Sequence, residues 1–243
     1  MKTLVLIPSR LSATRLPRKP LLKINGKSII SHVFKKAVDA NIGEVYVAAE
    51  DQEIVNDVKQ NGGQAILTSK NHKTGTDRIY EAFKKLDIKD IDLIMNLQGD
   101  EPAINIDDII NLNKKMTVCP TQMGTLAADI KDYNDLKNEN IVKVITKKNL
   151  KDEDFSSAEN FLRNSSKKNN IYHHIGVYCY SAETLEKFVK LKQSQNEINN
   201  RLEQLRALDN NIIINVALAK SSPIGVDTEE DYLALKKIME YKA

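Results

Sequence analysis

The chain has 243 residues, 41% of them hydrophobic, which is enough to bury a sizeable core. Its 36 basic and 33 acidic residues leave a formal net charge of +3, and only 5% of the residues are aromatic. A balanced charge with so few aromatic rings argues against a nucleic-acid-binding protein, which needs basic surfaces and rings that stack on bases. The length fits a single α/β domain with an insertion rather than two independent domains.

The predicted elements alternate between strand and helix through the first part of the chain. Strands are predicted at 3–7, 44–49, 64–68 and 91–97, and helices near 27–40, 52–61 and 76–86. Beyond Pro102, strands are predicted at 124–130, 141–146, 174–180 and 212–217, and helices near 106–116, 182–191, 196–208 and from 228. The polar stretch 147–170 is predicted to be a surface insertion or lid. This pattern is typical of an α/β fold with a mostly parallel mixed sheet flanked by helices.

Neither targeting nor metal-binding motifs stand out. The beginning of the chain carries one early lysine and a short apolar run, which is too little for a secretory signal. No stretch approaches membrane-spanning length, so no membrane insertion is expected. Cys119 and Cys179 lie far apart without metal-ligand spacing, which argues against a disulfide framework and a zinc site. We therefore expect a cytoplasmic protein.

A cationic loop directly follows the first predicted strand. Pro8 has no N–H to donate to a sheet ladder and is predicted to end that strand. Four cations follow closely in sequence: Arg10, Arg15, Arg18 and Lys19. Ligands of open α/β sheets bind beyond the carboxyl ends of the strands, so this loop lies where phosphates are expected. Because the chain has no glycine-rich phosphate loop, side chains are expected to hold the phosphates.

Two aspartates are candidate metal ligands. Asp100 lies on the loop after the fourth predicted strand, at the same sheet edge as Arg10 and Arg15. A carboxylate beside a polyphosphate is unfavourable unless a divalent cation lies between them, and Mg²⁺ is normally held by one or two carboxylates plus phosphate oxygens. Asp100 and Asp227 are therefore the predicted Mg²⁺ ligands. Asp227 could equally cap the final helix.

Six segments together resemble one enzyme family. They are IPSRLSATRLPRKPL (7–21), HKTGTDR (72–78), NLQGDEP (96–102), HIGVYCY (174–180), EQLRAL (203–208) and GVDTEED (225–231). In this order, the segments resemble the 3-deoxy-manno-octulosonate (KDO) cytidylyltransferases, which are sugar-activating nucleotidyltransferases also called CMP-KDO synthetases. The resemblance extends over nearly the whole chain. It implies a Rossmann-like nucleotidyltransferase fold and a homodimer.

The resemblance also implies a reaction. CTP and an eight-carbon 2-keto-3-deoxy sugar acid would give the CMP-linked sugar and pyrophosphate, for lipopolysaccharide biosynthesis. Residues 1–105 would form the nucleotide-binding half of the single domain, and residues 106–243 the sugar-binding and dimerising half. The residues expected to be catalytic are Arg10, Arg15, Lys19 and Asp100.

The binding residues fall into two sets. The nucleotide set consists of Pro8, Arg10, Arg15, Lys19, His72, Thr74, Gly75, Thr76, Arg78 and Gln98. The resemblance places Gly75 and Thr76 near the base, whereas Arg78 either supports the loop or touches the nucleotide. The sugar set consists of Gln98, His174, Tyr178, Glu203 and Gln204. Without the resemblance, the threonines are explained by helix capping, and a lone strand histidine is usually structural.

The sequence departs from the family pattern near the expected sugar pocket. The family carries an arginine that can pair with the sugar carboxylate, but this chain has Ser157 in the segment FSSA (155–158). Either a nearby residue such as Arg163 substitutes, or the preferred sugar differs, for example an amino-substituted analogue. In milder departures, Glu50 stands where the family tends to have aspartate, and Cys179 replaces a usual glycine.

Two alternatives to KDO activation stay open on the sequence. One is another enzyme of this type: a cytidylyltransferase for another acidic sugar, such as 8-amino-KDO, a sialic acid or a pseudaminic acid, or a nucleotidyltransferase that uses a different base. The other is a non-catalytic regulator that binds CTP without releasing pyrophosphate, a hypothesis motivated by the missing arginine at position 157.

Overall fold

The computed structural model describes residues 1–12, 15–152, 155–167 and 169–241. The chain divides into two compact units. The first unit comprises Met1–Ile110 with Pro223–Ala243, and the second unit comprises Asn111–Ser222. The final segment, which contains Asp227, is thus grouped with the first part of the chain. The division into a nucleotide-binding and a sugar-binding half stays a prediction.

The described residues form strands and helices in alternation. The strands are β1 (Thr3–Ser9), β2 (Lys23–Ile24), β3 (Lys27–Ser28), β4 (Gly43–Ala49), β5 (Ala65–Leu67), β6 (Leu93–Asn96), β7 (Met123–Ala128), β8 (Lys143–Thr146), β9 (Ser156–Leu162), β10 (Ile171–Ser181) and β11 (Ile214–Leu218). The helices are α1 (Ile29–Asp39), α2 (Gln52–Gln60), α3 (Gly75–Leu86), α4 (Ile106–Val118), α5 (Ala182–Lys190), α6 (Gln195–Asn200), α7 (Gln204–Asp209) and α8 (Glu229–Tyr241). Short 3₁₀ helices span Lys19–Leu21 and Tyr133–Lys137.

The sheet of the first unit is parallel, in the strand order β5-β4-β1-β6. Strand β1 is an apolar run that is buried along almost its whole length, as expected for an inner strand covered on both faces. Side-chain caps begin two of the helices. Ser28 accepts from the main-chain N–H of Ser31 at the start of α1, and Thr74 accepts from that of Asp77 at the start of α3. Strand ends and helix starts therefore meet at one edge of this sheet.

The sheet of the second unit is mixed, in the strand order β10-β7-β11-β9-β8. Strand β11 is parallel to β7, whereas β10 is antiparallel to it. Strand β8 pairs with both β9 and β10, so the strand order closes on itself. The long strand β10 changes register between Ile175 and Tyr178, where it carries a bulge or irregularity.

Three local predictions were wrong. Pro8 does not end β1, which continues to Ser9 in register with β4; the pairing with β6 stops at Leu6, and proline is tolerated where a strand loses a neighbour. The stretch 147–170 contains β9, whose Ser156 and Phe161 are buried. Glu153, Asp154 and Lys168 of that stretch, and Ala13 and Thr14 near the chain start, lie outside the described residues.

The third error concerns the helix predicted at 196–208, which is two short helices, α6 and α7. Arg201 caps α6 in the left-handed conformation, with φ of 52°, and this stops the helix. The helix therefore begins again only at Gln204.

No helix in the described ranges combines the length and the apolar character needed to cross a membrane.

Candidate active site

A cleft of about 390 Å³ lies in the first unit. It is formed by the end of β1, the residues that follow it, the loop after β6, the start of α3 and the segment before α8. Its lining residues are Pro8, Ser9, Arg10, Ser12, Arg15, Leu16, Lys19, Pro20, His72, Thr74, Gly75, Arg78, Gln98, Gly99, Asp100 and Asp227. Its volume falls within the range of small-molecule binding sites.

The cleft brings together the residues predicted to bind nucleotide and metal. Every member of the predicted nucleotide set lines it except Thr76, which is buried within α3. The two predicted metal ligands, Asp100 and Asp227, line it as well. Asp227 is far from the others in sequence, so its position here depends on the packing of the final segment.

Lys19 links the two aspartates. Its Nζ lies 2.6 Å from Oδ2 of Asp100 and 3.3 Å from Oδ1 of Asp227, and it donates to the carbonyl of Val226 at 2.7 Å. The Arg15 guanidinium pairs with the other oxygen of Asp227 at 3.1 Å. Cations and carboxylates thus alternate along one wall of the cleft, and the carboxylates of Asp100 and Asp227 both contact Nζ of Lys19.

This donor set suits Mg²⁺ bound together with phosphate. The described part of the chain contains no cluster of three or more histidine, cysteine or acidic side chains able to hold a metal by itself. Two converging carboxylates are nevertheless the usual protein contribution to a Mg²⁺ site that phosphate oxygens complete. Asp100 and Asp227 therefore fit such an ion.

Glu101, next to Asp100, was missed by the sequence analysis. One of its carboxylate oxygens is buried and has no hydrogen-bond partner among the described residues. Burial, together with the charges of Asp100 and Asp227, raises the pKa of Glu101 to about 8. Its carboxyl group is therefore mostly protonated at neutral pH, and the negative charge at this wall comes from the two aspartates.

The turn before α3 packs closely against Pro8. A Cβ atom on Gly75 would lie 3.2 Å from Cγ of Pro8, and one on Gly99 would lie 2.8 Å from the carbonyl oxygen of Pro8. Larger residues at these two positions would push the walls of the cleft apart. Thr74 caps α3 through its hydroxyl, as capping alone predicts, and it also lines the cleft.

Arg78 supports the floor of the cleft. Its side chain is buried and donates to Oε2 of Glu50 at 2.6 Å, to the Thr68 hydroxyl at 2.8 Å and to the Ser69 carbonyl at 3.1 Å. Of the two roles that the resemblance leaves open for Arg78, these contacts favour loop support.

Nε2 of the His72 ring contacts a carboxylate oxygen of Glu81 in α3. Burial by itself would raise the pKa of Glu81, but hydrogen bonds from Lys85, His72 and the Ser69 main chain lower it to about 2. Glu81 is therefore charged at neutral pH and holds the His72 ring beside the start of the helix.

Five lining residues are not among the predicted site residues: Ser9, Ser12, Leu16, Pro20 and Gly99. The Ser9 hydroxyl is buried and has no partner among the described residues, so it is available to a ligand. Ser9 is the last residue of β1 and Gly99 lies on the loop after β6, at the strand ends that drew attention to Arg10 and Asp100. The rule that located the cations would also have found them.

The predicted sugar residues other than Gln98 lie in the second unit. His174 is 8% exposed, and its Nε2 lies 3.1 Å from the Thr125 hydroxyl. Its ring meets Phe161 edge-on, with the centroids 5.0 Å apart, and lies 5.5 Å from the ring of Tyr178. Burial lowers the pKa of His174 to about 3, so the ring is neutral at physiological pH.

Tyr178 and Glu203 influence each other electrostatically. Burial raises the pKa of Tyr178 well above its ordinary value, and the charges of Tyr180 and Glu203 raise it further. The hydroxyl therefore keeps its proton. Gln204, the first residue of α7, is buried. The second unit thus brings a neutral histidine, a neutral tyrosine, an amide and one carboxylate into one region.

Arg206 anchors this region and was not singled out in the sequence. Its guanidinium contacts both carboxylate oxygens of Glu197, at 2.8 and 2.5 Å, and lies 4.7 Å from the centroid of the Phe188 ring. It also reaches Oε1 of Glu203 at 3.5 Å. Arg206 belongs to the EQLRAL segment, so that segment could have identified it as a candidate.

Ser157 and Arg163 are both engaged in structural contacts. The Ser157 hydroxyl donates to Oδ1 of Asn215 at 3.1 Å on the neighbouring strand. The Arg163 guanidinium donates to three main-chain carbonyls, those of Glu139, Asn200 and Arg201, at 2.9, 3.0 and 3.2 Å. These contacts show that Arg163 holds two loops together. They do not support the hypothesis that Arg163 substitutes for the missing family arginine.

Known proteins match this chain along nearly its full length. The cytidylyltransferase family model matches residues 4–218. The 3-deoxy-manno-octulosonate cytidylyltransferase of Thermodesulfovibrio yellowstonii is 41% identical, covering 98% of this chain and 98% of its own. That of Brucella canis is 42% identical over 95% and 93%. A solved CMP:2-keto-3-deoxy-manno-octonic acid synthetase complexed with CTP is 32% identical over the whole of both chains, with a TM-score of 0.91. The chain belongs to the 3-deoxy-manno-octulosonate cytidylyltransferase family and has its Rossmann-like nucleotidyltransferase fold.

Proposed function

We propose that this protein transfers CMP from CTP to KDO, giving CMP-KDO and pyrophosphate. The observation that carries the proposal is the single cleft in which a basic loop meets two converging aspartates, in a chain of the KDO cytidylyltransferase family. The reaction would supply an activated sugar for lipopolysaccharide biosynthesis in the cytoplasm.

The cations of the cleft bind the triphosphate. Arg10 and Arg15 offer forked donors that suit bidentate contacts with phosphate oxygens, whereas Lys19 is a point charge that can follow the leaving pyrophosphate. Lys19 and Arg15 now face carboxylates, so a bound triphosphate would share these cations with Asp100 and Asp227.

Asp100 and Asp227 would hold Mg²⁺. The ion, when bound, supplies positive charge that offsets the phosphate oxygens and the two carboxylates.

The chemical step needs no nucleophile from the protein. The anomeric hydroxyl of the sugar attacks the α-phosphorus in line, so that one P–O bond forms while the bond to the β-phosphate breaks and pyrophosphate leaves. Catalysis then consists of holding the two substrates in line and compensating phosphate charge, which are the main contributions in phosphoryl transfer. Arg10, Arg15 and Lys19 would provide the compensation.

The turn before α3 would receive the nucleobase. Gly75 lets the backbone approach Pro8 closely, and the backbone of Thr74 and Gly75 at the helix start offers polar groups to the cytosine edge. Thr76 and Arg78 would act from behind this turn, since both are buried.

The sugar would be recognised by Gln98 together with His174, Tyr178, Glu203 and Gln204. Neutral imidazole, phenol and amide groups both donate and accept hydrogen bonds, which suits a polyhydroxylated substrate. We also propose that the active protein is a homodimer; a monomeric mass by light scattering at assay concentration would contradict this.

Pyrophosphate release tests the function. Purified protein with CTP and Mg²⁺ is given KDO, 8-amino-KDO or N-acetylneuraminate, beside a control without sugar. Release with KDO supports the proposal. Release only with another acidic sugar would make Ser157 a mark of altered specificity, the second candidate function. CTP binding with no release in any arm would contradict catalysis and favour a regulator.

A further inference from the structure

Glu50, which follows β4, connects two walls of the cleft. Its Oε1 accepts a hydrogen bond from the Ser12 hydroxyl at 3.0 Å, and its Oε2 accepts one from Nη2 of Arg78 at 2.6 Å. Ser12 belongs to the basic loop, here the described residues 10–12 and 15–19, and Arg78 belongs to the first turn of α3. Each carboxylate oxygen thus holds a different wall.

The helix side of this bridge is rigid. Glu50 is 8% exposed and Arg78 is 2% exposed, so their ion pair is removed from solvent. Arg78 is fixed further by the Thr68 hydroxyl and the Ser69 carbonyl. A buried pair of this kind keeps a single geometry, because loss of either partner leaves an uncompensated charge. On the other side, Glu50 meets a single hydroxyl, that of Ser12, so this contact can be removed without exposing a buried charge.

The neighbouring Asp51 repeats the arrangement. Its Oδ2 accepts from the main-chain N–H of Leu11 in the basic loop at 3.1 Å. Its Oδ1 pairs with Lys70, in the segment before α3, at 3.1 Å. The Lys70 side chain is largely exposed, so that ion pair contributes little. Two consecutive acids therefore bridge the same two segments.

We propose that Glu50 is a positioning residue that couples the basic loop to the turn before α3, so that the triphosphate and the base of CTP are bound by one connected frame. This inference rests on the proposed function, because it assigns those two walls to the two ends of CTP. Glu50 itself touches no substrate.

The length of the Glu50 side chain matters to this role. Aspartate is one methylene shorter than glutamate. We expect a shorter carboxylate to keep its charge opposite Arg78 and to lose the contact with Ser12, because one side chain has to span both partners. Glu50→Asp therefore weakens the coupling without leaving Arg78 unpaired.

The test is a double-mutant cycle on CTP binding. Dissociation constants for CTP, without sugar, are measured by calorimetry for the wild type, Ser12→Ala, Glu50→Asp and the double variant. Each single variant is expected to weaken CTP binding about threefold to tenfold, the loss typical of one hydrogen bond. The double variant is expected to be no weaker than the worse single variant, because both remove the same link.

The matched control is Glu53→Gln. It breaks the Arg18–Glu53 ion pair, which also ties the basic loop to the segment after β4, but which is exposed on both sides. Its CTP affinity should equal that of the wild type. Ser12→Thr keeps the hydroxyl and should restore most of the affinity lost in Ser12→Ala.

Steady-state kinetics separates positioning from a merely structural role. Positioning predicts a raised KM for CTP, an unchanged KM for the sugar and an unchanged melting temperature in Ser12→Ala. Additive losses in the cycle would mean that Ser12 contacts CTP directly. Wild-type affinity in both single variants would mean that the contact between Glu50 and Ser12 does not affect CTP binding. Either result overturns the inference. Failure of the wild type to bind CTP would instead overturn the proposed function.

Discussion

In the first unit, the candidate phosphate and metal ligands Arg15, Asp100 and Asp227 are charged and partly exposed, whereas most candidate residues of the second unit are neutral, and His174 and Gln204 are buried. The side chains of Arg15 and Asp227 are 62% and 51% exposed, and their ion pair can exchange for phosphate at little cost. His174 and Gln204 are 8% and 6% exposed and held by packing. A cleft that must accept and release charged groups keeps its own charges solvated, while a site for a polyhydroxylated sugar gains selectivity from fixed neutral donors and acceptors.

The largest effect is expected from Asp100→Ala in the charged cleft. Turnover should fall by about a thousandfold or more, because the variant removes one of two proposed metal ligands and leaves Lys19 without its nearer partner. The fold should persist, since the side chain is partly exposed. Pyrophosphate release at saturating Mg²⁺, together with a circular dichroism melt, checks both statements. Activity close to that of the wild type would defeat the metal proposal.

A smaller loss is expected from Arg15→Ala. CTP binding should weaken about tenfold or more, the range for one charge-assisted hydrogen bond, while the KM for the sugar stays unchanged. Calorimetry with CTP and initial rates with varied sugar measure the two. Arg18→Ala is the matched control, because Arg18 is a cation of the same loop that does not line the cleft. Equal losses in both variants would mean that only the net charge of the loop matters.

The buried, neutral ring of His174 in the second unit should make the stability of the protein depend on pH. His174 has a pKa of about 3 when folded and an ordinary value of 6.5, so the unfolded chain binds a proton first as the pH falls. The free energy of unfolding therefore contains a contribution that is complete above pH 6.5 and is lost between 6.5 and 3. At pH 5 the loss is about 2 kcal/mol.

Urea unfolding at pH 7.5 and pH 5 measures this difference. His174→Gln should reduce it by about 2 kcal/mol, whatever its effect on stability at pH 7.5. Phe161→Leu, which alters the packing around the ring but keeps the histidine, should retain the wild-type difference. An unchanged pH difference in His174→Gln would show that the ring is not held neutral.

The smallest effect is expected from Arg163→Lys in the second unit. If Arg163 serves only to hold main-chain carbonyls, the KM for KDO should change by about twofold at most, with a modest fall in melting temperature. A rise of tenfold or more, with an unchanged melting temperature, would instead assign Arg163 to the sugar carboxylate. The candidate sugar-binding residues of the second unit would then include a cation.

Most of the cleft could be located from the sequence, because ligands of parallel α/β sheets bind beyond the carboxyl ends of the strands. Arg10 and Asp100 follow strands of a parallel sheet, and the carboxyl ends of such strands share an edge whatever the packing details. The strands themselves were predictable from apolar runs bounded by turns. By the same rule, Glu50 after β4 could have been chosen, but its two contacts could not.

The errors arose where a distant partner or a single backbone angle decided the outcome. Strand β9 is too polar in sequence to be recognised, and it exists because β8 and β11 pair with its two sides. The break between α6 and α7 depends on the left-handed conformation of Arg201, which helix propensity does not predict.

By itself, the sequence determined the α/β class, the order of most elements and the charged residue types at the sheet edge that forms the cleft. These follow from local periodicity and from where a parallel sheet exposes its strand ends. Only the tertiary structure decided that Asp227 meets Lys19, that Arg78 is held by Glu50, Thr68 and Ser69, and that His174 is buried and neutral. Those properties depend on distances and burial between segments far apart in the chain, which no local pattern encodes.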